Sequence, residues 1–256
     1  MLNLENVGYE YTQGTSALQN VSLSLPRGSF HWLTGPSGAG KTTLFRLLTL
    51  DLIPTHGTLS IGDTSVTTAS RTTRSTLRRK IGVVYQDFRL LPHLTVRENV
   101  ELPLRIHAAG SSRGTLTPAQ HQAVTDMLEW VGLTAVADNR AENLSGGEQQ
   151  RTAIARAVVR QPEVLVADEP TGNVDAAMAR RIMHLFTELH KHGTTVILAT
   201  HDTSLIQRHP FPVIHLNQGY LTAATTLAEE PLEPAPEPTT PFPLPDMPTE
   251  DTPDAE

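Results

Sequence analysis
A chain of 256 residues that is 38% hydrophobic can bury one substantial core, and its lack of cysteine excludes a disulfide framework and a thiolate metal site. Its formal net charge of -7 is uneven: residues 229–256 hold nine of the 27 acidic residues, nine of the 19 prolines and no Lys or Arg, so 18 acidic residues face 20 basic ones elsewhere. A body so near neutral lacks the basic footprint that nucleic acid requires, and no apolar run approaches the ~18 residues needed to span a bilayer.

From the N-terminus, "LNLENVGYEY" (2–11) and "VSLSL" (21–25) alternate apolar and polar residues, as half-buried antiparallel strands do. This start has neither the basic residues nor the apolar stretch of a signal peptide, so the expectation is a soluble protein whose membrane role would come through a partner. "FHWLTG" (30–35) reads as a strand entering a glycine-rich loop, and "KTTLFRLLTL" (41–50) as the helix leaving it. "KIGVVYQ" (80–86), "EVLVADE" (163–169) and "TTVILATHD" (194–202) are short apolar runs ending in polar residues, the pattern of parallel strands buried on both faces. Between residues 95 and 160 the pattern turns helical. "TPAQHQAVTDMLEWVGL" opens with Thr117 as N-cap, Pro118 at the first helical position and Gln120 three after the cap. "EQQRTAIARAVVR" places Ala153, Ile154, Ala157 and Val158 on one face. The composite is an α/β core with a helical insertion, and residues 226–256 have the composition of a disordered acidic, proline-rich tail in which "PFPLP" (241–245) is the candidate docking motif.

"GPSGAGKT", Gly35 to Thr42, has the G-x-x-x-x-G-K-[ST] spacing between a strand and a helix. Here Gly35, Pro36, Ser37, Gly38, Ala39 and Gly40 would curl backbone N–H groups around a phosphate at a helix N-terminus, with Thr43 next in line. Lys41 would reach the β- and γ-phosphates of ATP, and the Thr42 hydroxyl would ligate Mg²⁺. A glycine-rich turn without ligand is the plainer alternative. Asp168, closing a buried strand, would hold the metal, and Glu169 beside it would polarise a water; a solvated turn is the other use of two adjacent carboxylates. Gln86 and His201 also follow buried strands, and ligands of parallel sheets bind at strand carboxyl ends, so Thr34, Gln86, Asp168 and His201 should converge on one crevice.

"LSGGEQQ" (144–150) needs a separate explanation. Ser145 and Glu148 form a capping-box pair, but Gly146 and Gly147 each cost roughly 1 kcal/mol against Ala in a helix, which points to something approaching the backbone closely. With the phosphate loop, Gln86, "LSGGEQQ", "VADEP" (166–170), "GNVD" (172–175) and "TH" (200–201) in this order, the chain resembles the ABC-type ATPases. The resemblance implies a P-loop NTPase fold with an antiparallel β subdomain and a helical subdomain at about 88–160, within an ATPase domain of residues 1–225. It implies ATP and Mg²⁺, with Thr42, Gln86 and Asp168 at the metal and Lys41, Glu169 and His201 in catalysis. It also implies a head-to-tail homodimer in which Ser145, Gly146, Gly147 and Glu148 grip the γ-phosphate of ATP bound to the opposite copy. Tyr11 should stack on adenine, His201 should hold the γ-phosphate, and Asp175 should cross the dimer interface.

Within that family, "VVYQDFRLLPHLTVRENVELPLR" (83–105) is similar to the branch that serves an integral membrane partner in bacterial cell division. The partner's helix would dock on residues 88–94, where Phe88, Leu90, Leu91, Pro92 and Leu94 form an apolar cluster around Arg89. The competing use of these leucines is to cover the helical subdomain's own core. An ATPase of a lipoprotein-release or macrolide-type exporter shares "DEPTGN" (168–173) and is the alternative within the class. A soluble relative acting on DNA or ribosomes would carry a long coiled coil or a second cassette, and a scaffold without turnover would not need both Glu169 and His201. Thr152 and Val174 depart from the family's usual aliphatic residue and leucine, and the tail has no counterpart in its typical chain.

Overall fold
The computed structural model describes residues 2–12, 14–108 and 115–224; the expected tail at 226–256 lies outside them. Strands β1 (Leu2–Glu10), β2 (Ser16–Leu25), β3 (Phe30–Thr34), β4 (His56–Ile61), β5 (Thr64–Ser65), β6 (Ile81–Val84), β7 (Val164–Asp168), β8 (Thr195–Ala199), β9 (Val213–Asn217) and β10 (Tyr220–Ala224) make two sheets. The helices are α1 (Lys41–Leu48), α2 (Arg71–Arg78), α3 (Val96–Ala108), α4 (Pro118–Trp130), α5 (Gly146–Val158), α6 (Ala176–Lys191) and α7 (Thr203–Arg208).

The first sheet is antiparallel, in the order β2-β1-β4-β5. Leu2, Leu4 and Val7 of β1 are buried; the period of two breaks at Asn6, whose φ of 49° marks a bulge that returns Val7 to the core side. The second sheet runs β10-β9-β3-β8-β7-β6 and is parallel except for the β9–β10 hairpin. Because successive strand residues point to opposite faces, neighbours serve different cores. Trp32, Leu165 and Leu198 pack with Val100, Ile154 and Phe186 on one side; Leu33, Val166 and Ile197 pack with Leu44, Leu48 and the antiparallel sheet on the other. This explains why β3, β7 and β8 read as unbroken apolar runs.

Register sets the site. Leu33 and Asp168 both pair with Ala199, and Ala167 pairs with Val84. The carboxyl ends of β3, β8, β7 and β6 therefore lie side by side.

His31, the second residue of β3, is 6% exposed, and its Nδ1 has no partner among the described residues. Burial, then the nearby His190, lower its pKa from 6.5 to about 4. The unfolded chain takes up this proton near pH 6.5 and the folded chain does not until about 4. The contribution of a neutral His31 to stability is thus fully present above pH 6.5 and is lost as pH falls through that window, by up to ~3 kcal/mol. Thermal unfolding between pH 7.5 and 4.5 should show the midpoint falling, and falling less in His31→Leu; equal slopes would assign the acid lability to other groups.

Candidate functional site
The glycine-rich loop is wedged between two strands. A Cβ on Gly35 (φ 145°) would run into the Leu216 carbonyl of β9, and one on Gly40 (φ 100°) would lie 2.6 Å from the Ala17 carbonyl of β2. Gly219, in the β9–β10 turn, donates its N–H to Ala39 O at 3.0 Å. Only glycine fits at 35 and 40, so the loop's path is dictated by β2 on one side and the hairpin on the other. Gly40 ends the loop as the N-cap of α1, and the first intrahelical bond, Leu44 N–H to Gly40 O, leaves the N–H groups of Lys41, Thr42 and Thr43 facing out of the helix start. Lys41 Nζ folds back on its own loop, donating to Gly35 O at 2.5 Å and Pro36 O at 2.9 Å. Thr42 is exposed; Thr43 is buried, with its hydroxyl 3.2 Å from Tyr11 Oη, so the Tyr11 ring is tethered to α1.

Across the sheet, Glu169 follows β7 in the left-handed conformation (φ 48°), held by its N–H bond to Ala199 O at 2.9 Å. Both carboxylate oxygens are engaged: Oε1 accepts from the His201 N–H at 3.0 Å and lies 2.6 Å from His201 Nδ1, and Oε2 accepts from the Thr200 hydroxyl at 3.2 Å. This contact with Glu169, and its negative charge, raise the pKa of the exposed His201. Burial raises that of Asp168, with the Glu169 and Asp87 carboxylates adding and Lys41 opposing. Lys41 also acts on His201. The loop and the ends of β6, β7 and β8 thus share one electrostatic neighbourhood. Gln86 is exposed just past β6; the Thr34 hydroxyl, by contrast, turns to β9, 2.9 Å from His215 Nδ1.

Among the described residues no group of three His, Cys, Asp or Glu could hold a metal by itself. Mg²⁺ fits such a site, because it keeps several waters and takes one or two carboxylates plus substrate phosphates.

At "LSGGEQQ" the capping box forms. Ser145 Oγ accepts from Glu148 N–H at 3.4 Å and donates to Glu148 Oε2 at 2.7 Å, while the Ser145 N–H donates to the same oxygen at 2.8 Å. These bonds lower the Glu148 pKa. The two glycines differ. A Cβ on Gly147 would sit 3.2 Å from Asn173 O, whereas one on Gly146 meets nothing within 4 Å. Beneath them, fully buried Gln150 accepts from Asn173 at 3.5 Å. Asp175 is the N-cap of α6, and the Met178 N–H, donating at 2.8 Å, lowers its pKa.

Sequence reasoning did not assign Thr200, Asp87 or Arg156. The first two adjoin His201 and Gln86 at strand ends and could have been found there; Arg156, beside this region through its bonds to the Phe88 and Arg89 carbonyls, could not, since those carbonyls lie 68 and 67 positions away.

Residues 18–172 match the ABC transporter family, and the chain belongs to it. It is an ABC-type ATPase subunit. A dimeric bacterial ABC transporter cassette has the same fold, with a TM-score of 0.81 and 34% identity over 90% of this chain and 100% of that one. A post-hydrolysis state of that cassette, bound to ADP and Pi, gives 0.80 and 33% over the same shares. The cell division ATP-binding protein FtsE of Escherichia coli K12 is 42% identical over 221 residues, 86% of this chain and 97% of its own length. No helix among the described residues is long and apolar enough to cross a membrane.

Proposed function
We propose that the chain is an FtsE-like, cytoplasmic ATPase subunit that acts as a homodimer and drives an FtsX-like integral membrane protein controlling cell-wall hydrolysis in division. The observation that carries it is the gathering of the Lys41 loop, Asp168, Glu169 and His201 at one sheet edge, in a chain this similar to FtsE. Residues 1–225 form the ATPase domain, with the helical subdomain at about 88–160.

In this reading Lys41 exchanges the carbonyls of Gly35 and Pro36 for β- and γ-phosphate oxygens. The N–H groups of residues 41–43 face the same anion, and the half-exposed Tyr11 ring offers its face to adenine. Asp168, Thr42 and Gln86 would hold Mg²⁺, which when bound would offset phosphate charge. Glu169 is the base for the attacking water. Its Oε1 is occupied by His201, so the ring must leave for the γ-phosphate before Oε1 can take a proton. Ser145 Oγ, now donating to Glu148, turns to the γ-phosphate on the opposite copy, with Gly146 and Gly147 letting it close in and Asp175 lying across the interface. An exporter ATPase is the second reading, favoured by the transporter cassettes of the same fold.

The docking segment separates into two roles. Leu90 packs against the helical core, whereas Leu91 is exposed, and the wholly buried Asn99 fixes the turn by bonding Leu91 N–H and O and Leu94 O. Held on the membrane through residues 88–94, the chain sits peripherally on the inner face. Purified protein should hydrolyse Mg-ATP, and Lys41→Ala should lose that activity. Leu91→Asp should keep basal hydrolysis and melting temperature but no longer bring down a membrane partner; Leu90→Asp should lower the melting temperature instead. A Leu91→Asp protein that retains its partner would remove docking from this segment, and a partner of exporter type would select the second reading.

A further inference from the structure
Phe88 (φ 58°) and Arg89 (φ 47°) are consecutive residues in the left-handed region. There the Cβ of a non-glycine crowds the following carbonyl, so such a pair persists only where its surroundings hold it. The holder is on α5, the helix that Ser145 caps. Arg156 donates from one terminal nitrogen to Arg89 O at 2.6 Å and from the other to Phe88 O at 2.7 Å, so its planar fork spans two successive carbonyls. Upstream, Phe88 N–H bonds Tyr85 O at 3.0 Å, closing a turn with Gln86 and Asp87 at its centre. The Arg89 guanidinium covers the Tyr85 ring at 3.9 Å and reaches Asp51 at 3.6 Å, and Tyr85 Oη donates to the same Asp51 carboxylate.

We propose that Arg156 is the positioning residue for Gln86: by clamping the Phe88 and Arg89 carbonyls it holds the turn that aims Gln86 at the metal and γ-phosphate. This rests on the role given to Gln86 above. The guanidinium matters because its two terminal nitrogens, held apart in a rigid planar fork, each meet one carbonyl; a lysine ammonium, on a shorter stem, would have to reach both from a single nitrogen.

The test uses the full chain with Mg-ATP and Mg-ADP. Arg156→Met, of similar length but without donors, should lower kcat about tenfold through misplacement of Gln86. Its affinity for Mg-ADP should stay within about twofold, because the phosphate cradle is built on β3 and α1. Amide exchange at Phe88 and Arg89 should accelerate while β7 and α1 keep their protection. Arg156→Lys should recover part of kcat. Arg160→Met removes a like bond to a main-chain carbonyl, that of Arg79, and should retain most of kcat. Parent-like turnover in Arg156→Met, or an Arg160→Met protein as defective as it, overturns the proposal. Should Arg156→Met fail to fold, Arg156→Lys and Arg160→Met decide: the proposal requires the lysine variant to be the slower, with faster exchange at residues 88 and 89. A parent without Lys41-dependent hydrolysis would instead refute the ATPase reading, and the exchange rates of those amides would still judge the clamp.

Discussion

Glu169→Gln loses ATP turnover by about a hundredfold or more, the scale of a removed general base, while still binding ATP and holding two copies together around it. The amide is nearly isosteric. Its oxygen can accept the His201 N–H that Oε1 now takes, and its NH₂ can donate to the Thr200 hydroxyl, reversing the present bond without moving it. The backbone at φ 48° is equally accessible to Gln. What disappears is the proton acceptor and the charge. The charge has its own readout: Glu169 raises the His201 pKa, so in the Gln variant the ring should titrate at lower pH, as ring-proton NMR would register. Hydrolysis assays paired with size-exclusion chromatography in Mg-ATP decide the main point. Normal turnover would place the base elsewhere, and lost turnover without a dimer would detach closure from trapped ATP.

The parts legible in the sequence were those governed by short-range physics. The capping boxes at Thr117 and Ser145 are four-residue devices, and both form. The apolar runs of β3, β7 and β8 announce burial on two faces, and their polar last residues announce a shared edge. Longer-range contacts hid the rest. Helix α3 runs through Pro103, a residue that removes an intrahelical donor, while Asn99 bonds the loop before it. No composition signal marks Phe88 and Arg89 as left-handed, because the force that puts them there comes from Arg156, nearly seventy positions on. Leu90 packs on the core while Leu91, its backbone held by Asn99, is exposed, a division set by contacts across the loop; the sequence offered both uses of the leucines and could not divide them. Similarly, the fit of Gly35 depends on Leu216 in a hairpin that the sequence pattern did not disclose.

Gly146→Ala becomes more stable and less active. At the first helical position after Ser145, alanine gains up to ~1 kcal/mol over glycine, and its Cβ meets nothing within 4 Å in this chain. Its φ is not positive, so conformation does not demand glycine. Neither backbone conformation nor a neighbouring atom of this chain accounts for glycine here, and the proposed dimer supplies a reason from outside: the approach of the γ-phosphate of ATP carried by the second copy. One methyl group on that face should cost about tenfold or more in ATP-driven dimerisation and hydrolysis, because sub-ångström displacement of a phosphate-gripping backbone is felt steeply. Nucleotide binding to the single copy, which depends on the Lys41 loop, should be unchanged. Gly147→Ala is the internal control. There the methyl would press on Asn173 O at 3.2 Å, so stability and activity should fall together. Thermal melts, Mg-ATP hydrolysis and light scattering on the two variants separate the cases. If Gly146→Ala is stabilised yet dimerises and hydrolyses ATP like the parent, the glycine is not kept for a second copy's nucleotide, and Ser145 is a helix cap alone.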